Sequence, residues 1–271
     1  MLTKLLKYEF KATARVMVPL CALAVALCAV TNITLLEWVV KTDSDPNLVN
    51  IVLLAASSAL IGAVLAATVV LMVQRFRSNL LGDEGHVMFT LPVSIHQHIW
   101  AKTLVAVFWV LTTLFVAFEC TLILGYNGAL WMPFPWFREA LTAFMDRITS
   151  VDATIPELPL GAALPISAAA IIISAVGLSL EIFAALALGH SFHKHKVLLS
   201  VVFFLGTQGI YHLIGGTLPL LADLIFYFFP SQSPTGVYML DMGGSMVFSL
   251  LWAAVLYAVT HYTLKHRLNL E

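Results

Sequence analysis

Three polar side chains stand inside apolar runs, where each costs free energy: Glu181, Gln208 and His212. The carboxylate is the most expensive, because an ionised group taken out of water is unfavourable unless it is paired or neutralised. Its chemistry would be proton exchange, or the lining of a path through a membrane. A hydrogen-bonded packing glutamate is the other reading, and the residues leave the two open. Ala170, Ser174, Gly177, Ala185 and Gly189 lie near its helical face, so Glu181 is expected to point toward protein rather than lipid. Gln208 and His212 are four apart and share a helix face, where they could line a polar path or simply pack. Glu119 lies nearer the end of its run and is expected to reach water.

His96, His98, His190, His193 and His195 offer ring nitrogens, but His193 and His195 are two apart and fall on different faces of a helix. With Lys194 and Lys196 beside them, they read as interfacial residues, and no metal site is expected. Cys21, Cys28 and Cys120 all lie in apolar runs, which implies packing and no disulfide framework. The patterns GxxxxGK[ST], HExxH and GxSxG are absent from the chain. No catalytic residue and no cofactor of its own is therefore expected, and any energy it uses must come from a partner.

The second concentration of chemistry is the polar stretch 74–102. It carries Arg75, Arg77, Asp83, Glu84 and Lys102 between two long apolar runs. Asp83, Glu84 and Gly85 form a turn, Val87, Met88, Phe89 and Leu91 supply a short apolar face, and Pro92 closes it. This predicts a cytoplasmic loop with a short helix parallel to the membrane, shaped to dock on another protein.

The elements that position these groups follow from composition. The chain has 271 residues, 60% hydrophobic and 11% charged. So few charges cannot wet a globular surface, whose charged share is ordinarily about 25%. The expected fold is an all-α integral membrane protein in a single domain, with six transmembrane helices over 16–40, 48–73, 103–125, 164–188, 197–216 and 243–262. Residues 1–15 read as a basic amphipathic elbow helix, with Leu2, Leu5, Leu6 and Phe10 on one stripe and Lys4, Lys7, Lys11 and Arg15 around it. The segment 126–163 reads as an outer loop with an interfacial helix around Trp136, Phe137 and Phe144. The segment 217–242 reads as an outer, partly inserted stretch bearing the aromatic cluster 226–229. In the second span, Ala55, Ala59, Ala63 and Ala67 form a small-residue stripe beside Ser58, Gly62 and Ala66, a weak sign of close helix packing.

Basic residues set the expected orientation. Lys4, Lys7, Lys11, Arg15, Arg75, Arg77, Lys102, Lys194, Lys196, Lys265 and Arg267 fall on one side, against Lys41, Arg138 and Arg147 on the other. The positive-inside rule then puts both termini in the cytoplasm of a multi-pass plasma-membrane protein. A net charge of −1 gives no indication of nucleic acid as a partner.

The layout resembles the permease subunit of an ABC-2 type (type V) ABC transporter, and is similar to permeases of Gram-positive bacteria. The resemblance rests on the basic segment before the first of six spans, on Asp83-Glu84-Gly85, on Leu91-Pro92-Val93-Ser94, and on Lys102 entering the third span. The opening KLLKYEFKATAR and the run NLLGDEGHVMFTLPVS carry it further. It covers the whole chain in layout, but in motif only the first hundred or so residues. The helical loop between spans three and four departs from many relatives. The resemblance implies that the loop is a coupling helix seated in an ABC ATP-binding subunit, which uses ATP and Mg. It also implies a second permease chain, alike or different, and export of a lipid, peptide or hydrophobic drug. Two other readings stay open: a proton-coupled secondary transporter using Glu181, and a non-transporting membrane anchor or immunity protein.

Overall fold

A computed structural model describes residues 2–41, 48–81, 94–125, 160–192, 194–217, 220, 224, 227–228 and 234–266. Among the described residues no strand occurs. The elements are α1 (Leu2–Lys41), α2 (Leu48–Phe76) with a π-helical turn Arg77–Leu81, α3 (Ile95–Gly125), α4 (Leu160–His190), α5 (Lys196–Gly215) and α6 (Pro234–His266). Among the described residues six helices are long and apolar enough to cross a membrane, as in a multi-pass membrane protein, and the described fold is all-helical.

The helices run past the apolar limits that hydropathy marks. Residues 1–15 do not form a separate elbow, since α1 continues unbroken for 40 residues and its apolar span starts at Thr3. No glycine or proline interrupts residues 2–18, and Pro19 is accommodated inside the helix. At 1.5 Å per residue α1 is about 60 Å long, twice the hydrocarbon thickness of about 30 Å. For the same reason α2 and its π turn carry helix on to Leu81, just before Gly82. Ser94 starts α3 eight residues ahead of the expected span, accepting the Gln97 backbone N–H on its carbonyl (2.9 Å) and on Oγ (3.4 Å). The polar segment 74–102 is thus helical at both ends. Pro234 opens α6 inside the stretch expected as outer loop, at a helix position where proline's missing N–H costs nothing. Of 217–233, Thr217, Leu220, Leu224, Tyr227 and Phe228 are described, all helical and exposed. The interfacial helix expected at 136–148 lies outside the described residues.

Contacts fall into two compact units. The first comprises Lys7–Leu71 and Phe108–Ser150. Here α1 buries Met17, Cys21, Ala24, Cys28, Thr31 and Leu35, a four-three spacing typical of a helix-packing seam. α2 answers with Asn50, Leu54, Ser57, Val64 and Thr68 in the same register. The stripe of Ala55, Ala59 and Ala63 is exposed instead, and nothing lies within 4 Å of a Cβ built on Gly62. Small size lets helices approach but does not itself choose the face. Polar pairs hold the seam: Thr31 and Ser57 hydroxyls meet at 2.8 Å, Asn32 Nδ2 donates to the Ile123 carbonyl, and Trp109 Nε1 donates to Thr13 Oγ1 at 2.8 Å. Phe10 stacks on Trp109 with ring centroids 5.5 Å apart. The three cysteines are free and buried.

The second unit comprises Met1–Leu6, Met72–Val107 and Val151–Glu271. Its central helix is α4, packed on α5, α6 and the π turn. Every residue from Ser179 to Ala187 is buried, so this helix shows no amphipathic face. α4 and α5 approach closely at Gly189. A Cβ there would lie 2.0 Å from Ser200 Oγ and 2.6 Å from the Ser200 backbone nitrogen. Gly189→Ala is therefore expected to destabilise the protein by about 1–3 kcal/mol. Ser200→Ala should not rescue it, because the backbone clash remains. Thermal unfolding in detergent measures both, and a neutral Gly189→Ala would contradict the close approach.

Candidate functional site

The buried carboxylate comes first. Glu181 is 4% exposed on α4. Its Oε2 accepts a hydrogen bond from Gln208 Nε2 on α5 at 2.7 Å. One residue before Gln208, the Thr207 hydroxyl lies beside the same carboxylate and donates to the Phe203 and Phe204 carbonyls, each at 2.9 Å. His212 lies one turn further along α5 and is exposed. Oε1 is buried and has no hydrogen-bond partner among the described residues. Glu181, Thr207 and Gln208, which the sequence left on two separate runs, thus form one polar cluster between α4 and α5, with His212 outside it. Such a cluster can hold a proton or accept a donor at its one open oxygen. Glu119 is half-buried on α3.

The polar loop is the other candidate. Asp83, Glu84, Gly85, Val87, Met88, Phe89, Leu91 and Pro92 lie outside the described residues, but both flanks are described. Phe76 is fully buried and stacks on Phe183 of α4, with centroids 4.5 Å apart and planes 10° from parallel. Leu80 and Leu81 of the π turn are buried as well. Lys102 is 5% exposed, and its ammonium donates to the Arg75 carbonyl at 3.1 Å. The π turn changes the bonding register from i+4 to i+5, and a cation near the end of α2 satisfies a carbonyl there. Lys102 thus ties the start of α3 to the end of α2, a contact 27 residues apart that no periodicity announces.

Sequence reasoning also missed an aromatic and histidine cluster. His96 of α3 stacks on His261 of α6 at 4.1 Å and bonds through Nδ1 to the Tyr257 hydroxyl. Trp100 packs beside Tyr257 at 5.7 Å. The only signal was Tyr257 and His261 four apart on one helix face. His190 is buried, with Nδ1 2.9 Å from the Leu186 carbonyl. Among the described residues no three His, Cys, Asp or Glu side chains gather as a metal site, and His193 lies outside them.

Comparison with protein-family models, with curated proteins and with solved structures finds no match for this chain.

The Glu181 geometry makes a stability prediction. Gln208→Leu removes the donor and leaves both carboxylate oxygens without it, at an expected cost of about 1–3 kcal/mol. The double variant Glu181→Leu/Gln208→Leu should recover most of that loss, because the buried polar pair is then gone from both sides. Denaturant unfolding in micelles of the two variants tests the coupling. Additive losses in the double variant would mean that the two side chains do not depend on each other.

Proposed function

We propose that the chain is the membrane-spanning permease subunit of an ABC-2 type transporter, working with a separate ATP-binding subunit that hydrolyses ATP with Mg. The observation that carries this reading is the rigid seating of both flanks of segment 82–93. Lys102 clamps one flank to the other, and Phe76 is stacked on the buried face of α4. A soluble motor can rock membrane helices only through a lever that does not flex where it joins them. The loop pattern Asp83-Glu84-Gly85 with Val87, Met88, Phe89, Leu91 and Pro92 supplies an apolar docking face between those anchors. Two permease chains complete the assembly, since six helices alone enclose little volume. Both termini and this loop face the cytoplasm of the plasma membrane, by the bias of lysine and arginine. Export of a lipid, peptide or hydrophobic drug is the direction and cargo class that fit.

Docking would bury Phe89 and Leu91 only in the complex. Each such side chain contributes about 1.5–3 kcal/mol on burial, and a charge in its place would be desolvated without a partner. Phe89→Asp is expected to release or uncouple the ATPase, while Asp83→Asn has a mild effect, since one charge facing the rim of the partner's groove contributes little. A pull-down from detergent with ATPase activity measured alongside decides it. Retention of the ATPase with normal substrate-stimulated turnover by Phe89→Asp rules out the docking assignment.

A second reading has its own observation, the buried Glu181 with Gln208 bonded to it. In that reading the carboxylate takes up and releases the coupling proton of a secondary transporter. Transport in vesicles that persists without ATP, collapses with the proton gradient and is lost in Glu181→Gln would favour it. Transport that needs ATP and survives Glu181→Gln would remove it.

A further inference from the structure

α4, α5 and α6 leave a groove of about 480 Å³ where α4 ends and α5 begins, within the range of small-ligand sites. Leu188 and Phe192 form one side, Phe203 the second, and Ala258, Tyr262 and Thr263 the third. Phe192 and Phe203 stack at 5.9 Å, and Phe192 and Tyr262 are half exposed. The groove is apolar and open to the side, as an acyl chain requires. Any such cleft in a membrane helix meets lipid, so the apolar walls alone select nothing. Charge does the selecting here. Ala258, Tyr262 and Lys265 are spaced four and three apart, so Lys265 extends the groove's own face of α6. Lys194 follows Phe192 by two residues, in a turn shaped by His195 in the left-handed region at φ 59°. Lys194, Lys265 and His266 are exposed. No aspartate or glutamate occurs from 182 to 222, and after Asp241 the one acidic residue is Glu271, against Lys265, His266 and Arg267. From Lys265 back to Ala258 the helix rises about 10 Å, a depth that takes the upper part of a chain while its headgroup stays at the lysines.

We propose that this groove is a site for an anionic phospholipid, with one acyl chain along Phe192, Phe203 and Tyr262 and the phosphate between Lys194 and Lys265. The site depends on the membrane-spanning fold and not on the transporter reading. Basic pockets between helices near a membrane surface recognise acidic headgroups in this way.

Full-length protein in a neutral detergent is titrated with phosphatidylglycerol or phosphatidylcholine of identical chains, and bound lipid is counted by native mass spectrometry. Phosphatidylglycerol is expected to bind more tightly. Lys194→Gln and Lys265→Gln should each weaken it about fivefold, and together they should erase the preference. Ala258→Trp, at an exposed position, adds bulk to the groove rather than to the core and should lower binding of both lipids. Equal binding of the two lipids by the native chain overturns the proposal. So does a preference that survives the double lysine variant or the filled groove, because the headgroup is then read elsewhere.

Discussion

Hydrocarbon offers no hydrogen bonds, and that constraint shapes every described element of this protein. Backbone groups are satisfied within helices, so the described residues fall almost entirely in long helices. Hydroxyls obey the same rule by folding back on their own helix. Thr13, Thr31, Ser57, Thr68, Thr103, Thr113, Ser179, Ser200, Thr260 and Thr263 each donate to the carbonyl four residues earlier. A threonine so bonded can sit in a seam without a partner across it. Side chains too long to do this must find partners on another helix, and they mark where helices are held in register.

α4 is where that demand is heaviest. Its run of small and apolar residues from Ser179 to Ala187 lets neighbours close in on all sides, and Gly189 permits a close approach to Ser200. Within this dry stretch Glu181 has to be answered by α5, and Gln208 answers it. Two residues on, about 200° around the helix, Phe183 meets Phe76 at the end of α2. One helix therefore carries the polar cluster on one side and the seat of the polar loop on another. A rotation or shift of α4 would be felt at both, which gives the proposed lever a mechanical route to the membrane interior.

Lys102 shows the same economy at the other flank. A buried ammonium needs acceptors, and the end of a helix has carbonyls in excess. Placing the lysine there satisfies both and fixes the start of α3 against the end of α2. The surface counterpart is the basic end of α4, α5 and α6. There Lys194 and Lys265 are left exposed, with Glu271 the one acidic residue near either in sequence, and a negatively charged membrane surface is the natural complement.

The sequence by itself determined the all-helical membrane class and the six long apolar helices, because hydropathy over about 20 residues reports directly on transfer to hydrocarbon. It also determined that Gln208 and His212 share a face, since that follows from helical period alone. Helix ends were beyond it: α1 runs through the expected elbow, α2 and α3 run into the expected loop, and α6 begins inside the expected outer segment. Helices start and stop at caps such as Ser94, whereas hydropathy stops at the first charges. Only the tertiary structure decided which face of α2 packs, and it chose Leu54, Ser57 and Val64 over the alanine stripe. Only it decided that Gln208 answers Glu181 and that Lys102 reaches Arg75. Each of those pairs joins residues 27 apart on different helices, and the free energy that selects them comes from desolvation shared between helices, which no one-dimensional pattern contains.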